Sequence, residues 1–83
     1  MVRVTRIRRR RLAYYTREVN RLTEQLITAQ VIHDVADSSG FHDTVALADK
    51  VIAHVLADIE KYDRAIDRIQ ADMKAEDARC ASR

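Results

Sequence analysis

Residues 12–36 read LAYYTREVNRLTEQLITAQVIHDVA, and residues 45–73 read VALADKVIAHVLADIEKYDRAIDRIQADM. In the first stretch Leu12, Tyr15, Val19, Leu22, Leu26, Ala29, His33 and Ala36 recur at alternating spacings of three and four. In the second, Val45, Ala48, Ile52, Val55, Ile59, Tyr62, Ile66, Ile69 and Met73 do the same. That spacing keeps a side chain on one stripe of an α-helix. Between the two stretches lies the only glycine, Gly40, and the chain has no proline. The pattern predicts an all-α antiparallel two-helix hairpin, with long helices over about 5–37 and 42–78.

The break is Asp37-Ser38-Ser39-Gly40. Glycine follows helix ends because it takes the left-handed conformation without steric cost. Ser38, Ser39 and Asp43 are each candidate caps for the second helix. A short connection forces antiparallel neighbours. The register then sets Ala36 near Val45, Ala29 near Ile52, Leu22 near Ile59, Tyr15 near Ile66 and Leu12 near Ile69. Continued outward, Arg8 to Arg11 meet Asp72, Glu76 and Asp77. The start of the first helix is the open boundary, because Val2, Val4 and Ile7 alternate with polar residues as an extended arm would. Ala81 to Arg83 are expected to fray.

Eighty-three residues make a single small domain, 1–83, with a basic N-terminal arm over 1–11. A chain this short needs support beyond its own core. Cys80 is the only cysteine, so no disulfide forms within the chain. No Cys/His set has structural zinc spacing. Oligomerisation or docking on a partner is the remaining source. The hydrophobic fraction, 47%, sets the chain apart from disordered tails. No apolar run approaches the ~20 residues of a membrane span. The N-terminal segment also lacks the apolar block of a secretory signal. With a lone cysteine, the expected location is cytoplasmic.

The net charge of +2 conceals an asymmetry. Arg3, Arg6, Arg8, Arg9, Arg10 and Arg11 precede the first acid, Glu18. Such a run can neutralise several phosphates, giving salt-sensitive nucleic-acid binding without sequence readout. It can also act as a localisation or membrane-surface patch. The simpler reading is pairing with Asp72, Glu76 and Asp77, although consecutive arginines on a helix point in every direction. No aromatic is interleaved within the run, so base stacking gains no support from it.

His33 lies on the apolar stripe, one turn before Asp37 and close to His42 in sequence. That spacing could hold a divalent ion, but the favoured reading is a histidine stabilised by the helix dipole or a polar residue fixing register. His54 lies off the second stripe and is expected to be exposed. Catalysis has little support. Cys80 lacks a neighbouring histidine, Ser38 and Ser39 read as caps, and there is no glycine-rich phosphate loop. The carboxylates lie on a solvated face, so no acid–base pair stands out. The chain is read as non-enzymatic, with no catalytic, cofactor-binding or metal residues, no cofactor and no small-molecule substrate.

Seven apolar residues fall off the stripes: Ile27, Val31, Ile32 and Val35 on the first helix, and Leu47, Val51 and Leu56 on the second. A helix apolar on several faces is covered on several sides. One neighbouring helix cannot do that. These seven are the expected protein interface, used either in a homo-oligomer such as a dimeric four-helix bundle or against another protein's helix.

Two long helices around a short glycine-containing turn are similar in outline to the WXG-type small secreted proteins of bacterial type VII systems. The outline covers most of the chain, but the motifs do not carry over. Ser38-Ser39-Gly40 stands where that family has Trp-x-Gly, and Tyr62 is followed at the acid's spacing by Ile66. Hairpin chaperones and needle-type subunits of type III secretion share the outline, as do plasmid RNA-binding hairpins. The expected function is a non-enzymatic protein–protein interaction module: a small adaptor, chaperone or assembly subunit. The alternative is a nucleic-acid-binding hairpin using the arginine arm.

Overall fold

A computed structural model describes the chain over residues 2–81, with side chains from Arg6 to Ala81. Two helices make up the fold: α1 (Val2–Ser38) and α2 (His42–Ala81). At ~1.5 Å per residue each is roughly 55–60 Å long, and the molecule measures 65 × 17 × 13 Å. The extended-arm alternative is overturned, because α1 starts at Val2 and carries the basic segment within it. Arginine is a good helix former, and nothing before Gly40 breaks the helix. Likewise α2 runs on through Ala81, beyond the predicted end near residue 78. Ala78, Arg79 and Ala81 favour that continuation. Ser82 and Arg83 lie outside the described residues.

The hairpin turns on a Schellman motif. The Phe41 amide donates to the Ala36 carbonyl at 2.9 Å, and the Gly40 amide to the Asp37 carbonyl at 3.2 Å. Gly40 has φ +78°, as this motif requires. The Val45 amide then donates to the Phe41 carbonyl, so Phe41 occupies the N-cap position of α2. The expected capping residues do not serve. The Ser38 hydroxyl turns back to the Asp34 carbonyl, and Asp43 lies inside the first turn of α2. The Schellman turn places Phe41 at the N-cap, where its ring has no oxygen to offer.

Every residue of both predicted stripes is buried or half-buried. Three cross-helix contacts track the antiparallel register. His33 reaches Asp49, the Tyr15 and Tyr62 rings lie 5.7 Å apart, and Arg8 reaches Glu76. The most deeply buried residues are Leu22, Ala29, Ala36, Ala48 and Val55. Three of these are alanines in the half nearest the turn. There the alanines alternate with Leu26, Val45, Ile52 and Val55 along the inward stripes, while the opposite half packs Leu12, Tyr15, Tyr62, Ile66, Ile69 and Met73 between the helices.

Candidate interaction surfaces

Where the core is thinnest, the outside is most apolar. Ile27, Val31, Ile32, Val35, Leu47, Val51 and Leu56 are all between 48% and 63% exposed. All seven predicted interface residues are therefore open to solvent in a single hairpin, but they do not form one patch. At 100° per residue, Ile27 and Val31 lie one turn apart on the side of α1 turned away from α2, and Val35, a turn further on, has drifted toward the flank that carries Ile32. Ile32 and Val51 line an open groove of about 530 Å³ with Arg21, Glu24, Gln25, Thr28 and Ala29. Leu47 lies one turn from Val51 on the same flank, and Leu56 falls on the other flank.

Sequence reasoning missed Phe41, which is 63% exposed at the tip of the turn. The available signal was its position one residue past Gly40, where a polar cap is the ordinary choice. Tyr14, which follows the arginine run in sequence and could abut it, is exposed at 49%. Tyr14 lies four residues after Arg10 and three before Arg17, so it shares their outward face. The helical pitch interleaves an aromatic with the arginines there, although the linear run does not.

The arginines divide. Arg8 occupies the stripe position below Leu12, and its Nη1 donates to Glu76 Oε2 at 2.5 Å. Arg6, Arg9, Arg10 and Arg11 are exposed, and the side chain of Arg3 lies outside the described residues. Asp72 and Asp77, expected to pair with this run, make no ion pair with the described residues. On a helix only one arginine in a turn can face the neighbour, and Arg8 takes that place. Arg9 and Arg17 border a second shallow depression over Leu12, Ala13 and Thr16. The other arginine pairs are local, as in Arg21 with Glu18 and Arg64 with Glu60.

His33 does not group with Asp37 and His42, the less favoured metal-ligand alternative. Its Nδ1 lies 3.1 Å from Asp34 Oδ1 and its Nε2 lies 3.1 Å from Asp49 Oδ1. Carboxylates at both ring nitrogens favour the imidazolium, since a neutral ring donates from only one. The hydrogen bond to Asp34 is the main cause of a pKa above the ordinary 6.5. Partial burial opposes it, and the charges of Asp49, Asp34 and Asp37 add to it. Among the described residues no three His, Cys, Asp or Glu side chains converge as a metal site. His54 is exposed beside Asp58, and Cys80 is a free, exposed thiol. No described helix is long and apolar enough to cross a membrane.

No protein-family model matches the chain, and no curated protein or solved structure matches it.

Proposed function

We propose that this hairpin is a protein–protein interaction module, a small adaptor, chaperone or assembly subunit that works through its turn-proximal half. The observation that carries the reading is an inversion of size. Around the turn, Ala29, Ala36 and Ala48 are among the most deeply buried residues, while seven Ile, Val and Leu side chains lie outside the helix pair, each about half exposed. Buried apolar area is the main stabilising term, and here the larger side chains remain in water. The total surface supports the same reading. The chain exposes 6741 Å², whereas a globular protein of its mass exposes roughly 5,100 Å².

The test is the molar mass in solution at low and high salt, with and without nucleic acid. The module reading expects a dimer, a larger assembly or a stoichiometric complex that tolerates salt. A folded monomer with no partner at micromolar concentration overturns it.

A second reading has its own observation. The charges of α1 run against its helix dipole. Its first turn has no acid and its last turn no base, while Arg6 to Arg11 lie toward the positive end and Asp34 and Asp37 toward the negative end. Asp37, in the last turn, is unfavourably placed by ~0.3–1 kcal/mol at low salt, and the arginines, one turn and more inside the other end, add a concentration of unneutralised positive charge there. A bound polyanion would relieve the N-terminal end, with Arg6, Arg9, Arg10 and Arg11 on phosphates and Tyr14 against a base. This nucleic-acid reading expects affinity that falls steeply with salt.

A further inference from the structure

We infer that the partner is a second copy of this chain, docked with its turn pointing the opposite way. Each Phe41 then enters the groove between Gln25, Ile32 and Val51 of the other copy. This rests on the interaction-module reading and names its occupant.

The first argument is the shape of the flank. Ile32 and Val35 on α1 turn to the same side of the antiparallel pair as Leu47 and Val51 on α2. They form a strip four side chains wide that crosses both helices. Their exposures, 48%, 61%, 63% and 49%, leave on the order of 400 Å² of apolar surface, within the range of patches that mark interaction sites.

The second argument is metric. At ~1.5 Å per residue the strip is centred about 11 Å from Gly40, and the groove about 20 Å from it. A two-fold axis through the strip, perpendicular to the helices, carries each turn about 22 Å along the other copy. That is where the groove lies. The most protruding apolar residue of the turn therefore meets the open groove, and by symmetry the contact occurs twice. Phe41 also occupies an N-cap position where Asp or Ser would serve α2 better. A residue that breaks a local rule points to a role beyond the single hairpin.

The third argument is charge. With turns opposed, the copies overlap only over about residues 24–57, and the apolar strip fades at Glu24 and Asp58. The arginine segments then lie at opposite ends, several Debye lengths apart. With turns together, Arg9 to Arg11 of both copies would crowd one end. Two strips plus two Phe41 side chains, fully covered, bury roughly 1,000 Å², at the threshold for a biological interface and at the small end of the range, as suits a weak dimer.

The test is cysteine linkage in a Cys80→Ser background. Gln25→Cys with Phe41→Cys should give a covalent dimer under mild oxidation, with peptide mapping showing Cys-to-Cys linkage between positions 25 and 41. Within one copy those positions lie roughly 24 Å apart along α1, too far to bridge. Val51→Glu should weaken self-association at least ~10-fold by setting a carboxylate against the apolar strip. Helicity by circular dichroism should be retained, because Val51 is exposed in the hairpin. Val31→Glu, on the outward row of α1, should leave the dimer intact. Linkage only between the two copies of position 41, or a dimer dissolved by Val31→Glu and not by Val51→Glu, overturns this pairing. A stoichiometric complex with a different protein also overturns it and leaves the module reading standing. A folded monomer without partner overturns both.

Discussion

Arg8 and Glu76 close the open end of the hairpin across 68 residues of sequence, with Nη1 and Oε2 2.5 Å apart. Both occupy positions where the apolar stripes would continue, so the core ends in an ion pair where its last hydrophobic layer gives out. About a quarter of each side chain remains exposed, which places the pair near the weak end of ion-pair energies. Arg8→Gln should cost about 0–1 kcal/mol in chemical denaturation, less at high salt. Arg8→Glu should cost more, because it sets two carboxylates together. The exchange Arg8→Glu with Glu76→Arg should recover most of that loss. Failure of the exchange to recover stability would place the two residues apart.

Gly40 should resist substitution in a defined order. Its φ of +78° lies in the left-handed region, and a Cβ built there meets nothing within 4 Å. The cost of a side chain is therefore conformational and not a clash. Asn should cost least, Ala about 1–2 kcal/mol, and Val more because it is β-branched. An unchanged midpoint for Gly40→Val would mean that the turn is not held as described.

Much of this was legible in the sequence. The stripes from Leu12 to Ala36 and from Val45 to Met73 name the inward faces because helical period alone decides them. A single glycine then sets the turn and, with it, the register that brings Arg8 to Glu76. Other features depend on three-dimensional detail that period does not encode. Phe41 as N-cap follows from the Schellman bonds to Ala36 and Asp37, which advance the cap by two residues from Ser39. Asp49 as a partner of His33 comes from the facing helix, and no local spacing marks it. The seven off-stripe residues were identifiable as surplus, but their division among an outward row, a groove flank and an isolated Leu56 emerges only once the two helices are set side by side.

Phe41→Asp should separate the stability of the hairpin from that of its assembly. At concentrations where both proteins are monomeric, the carboxylate should cap α2 and favour its dipole, raising stability by about 0.5–1 kcal/mol. At higher concentration the variant should self-associate at least ~10-fold more weakly than the wild type, since the ring no longer enters the facing groove. Sedimentation and denaturation over a concentration series read both effects. Equal association with and without the ring would remove Phe41 from the interface.

His33 should make the fold weakly pH-dependent, and the sign follows from its surroundings. Its folded pKa lies above the ordinary 6.5, first through the hydrogen bond to Asp34. The folded state then holds the proton more tightly than the unfolded chain does. That contribution is fully present below about pH 6.5 and is lost as pH rises through the higher folded value. NMR titration of the ring should show the elevated pKa. Asp34→Asn should bring it down more than Asp49→Asn does. A ring that titrates at or below 6.5 would show that the two carboxylates do not hold it.

The arginine segment decides between the two functional readings, and Arg8 must be left out of the experiment. Its guanidinium is engaged by Glu76, so removing it would confound the fold with any binding effect. Arg6, Arg9, Arg10 and Arg11 are exposed, and changing all four to glutamine leaves the packing from Leu12 onward untouched. The variant should keep its helicity and unfold within about 1 kcal/mol of the wild type. If the segment engages phosphates, wild-type affinity for nucleic acid should fall linearly in log–log with salt. Each phosphate that the variant no longer neutralises should then flatten that slope by roughly one unit. Tyr14→Ala should weaken single-stranded more than duplex binding, because only unpaired bases present a free face for stacking. Titrations of duplex and single-stranded nucleic acid at two salt concentrations read all of this. Absence of binding at ~50 mM salt, where phosphate contacts are strongest, eliminates the nucleic-acid reading. Arg8, held by Glu76, would then be the one arginine of the segment with a demonstrated contact to α2.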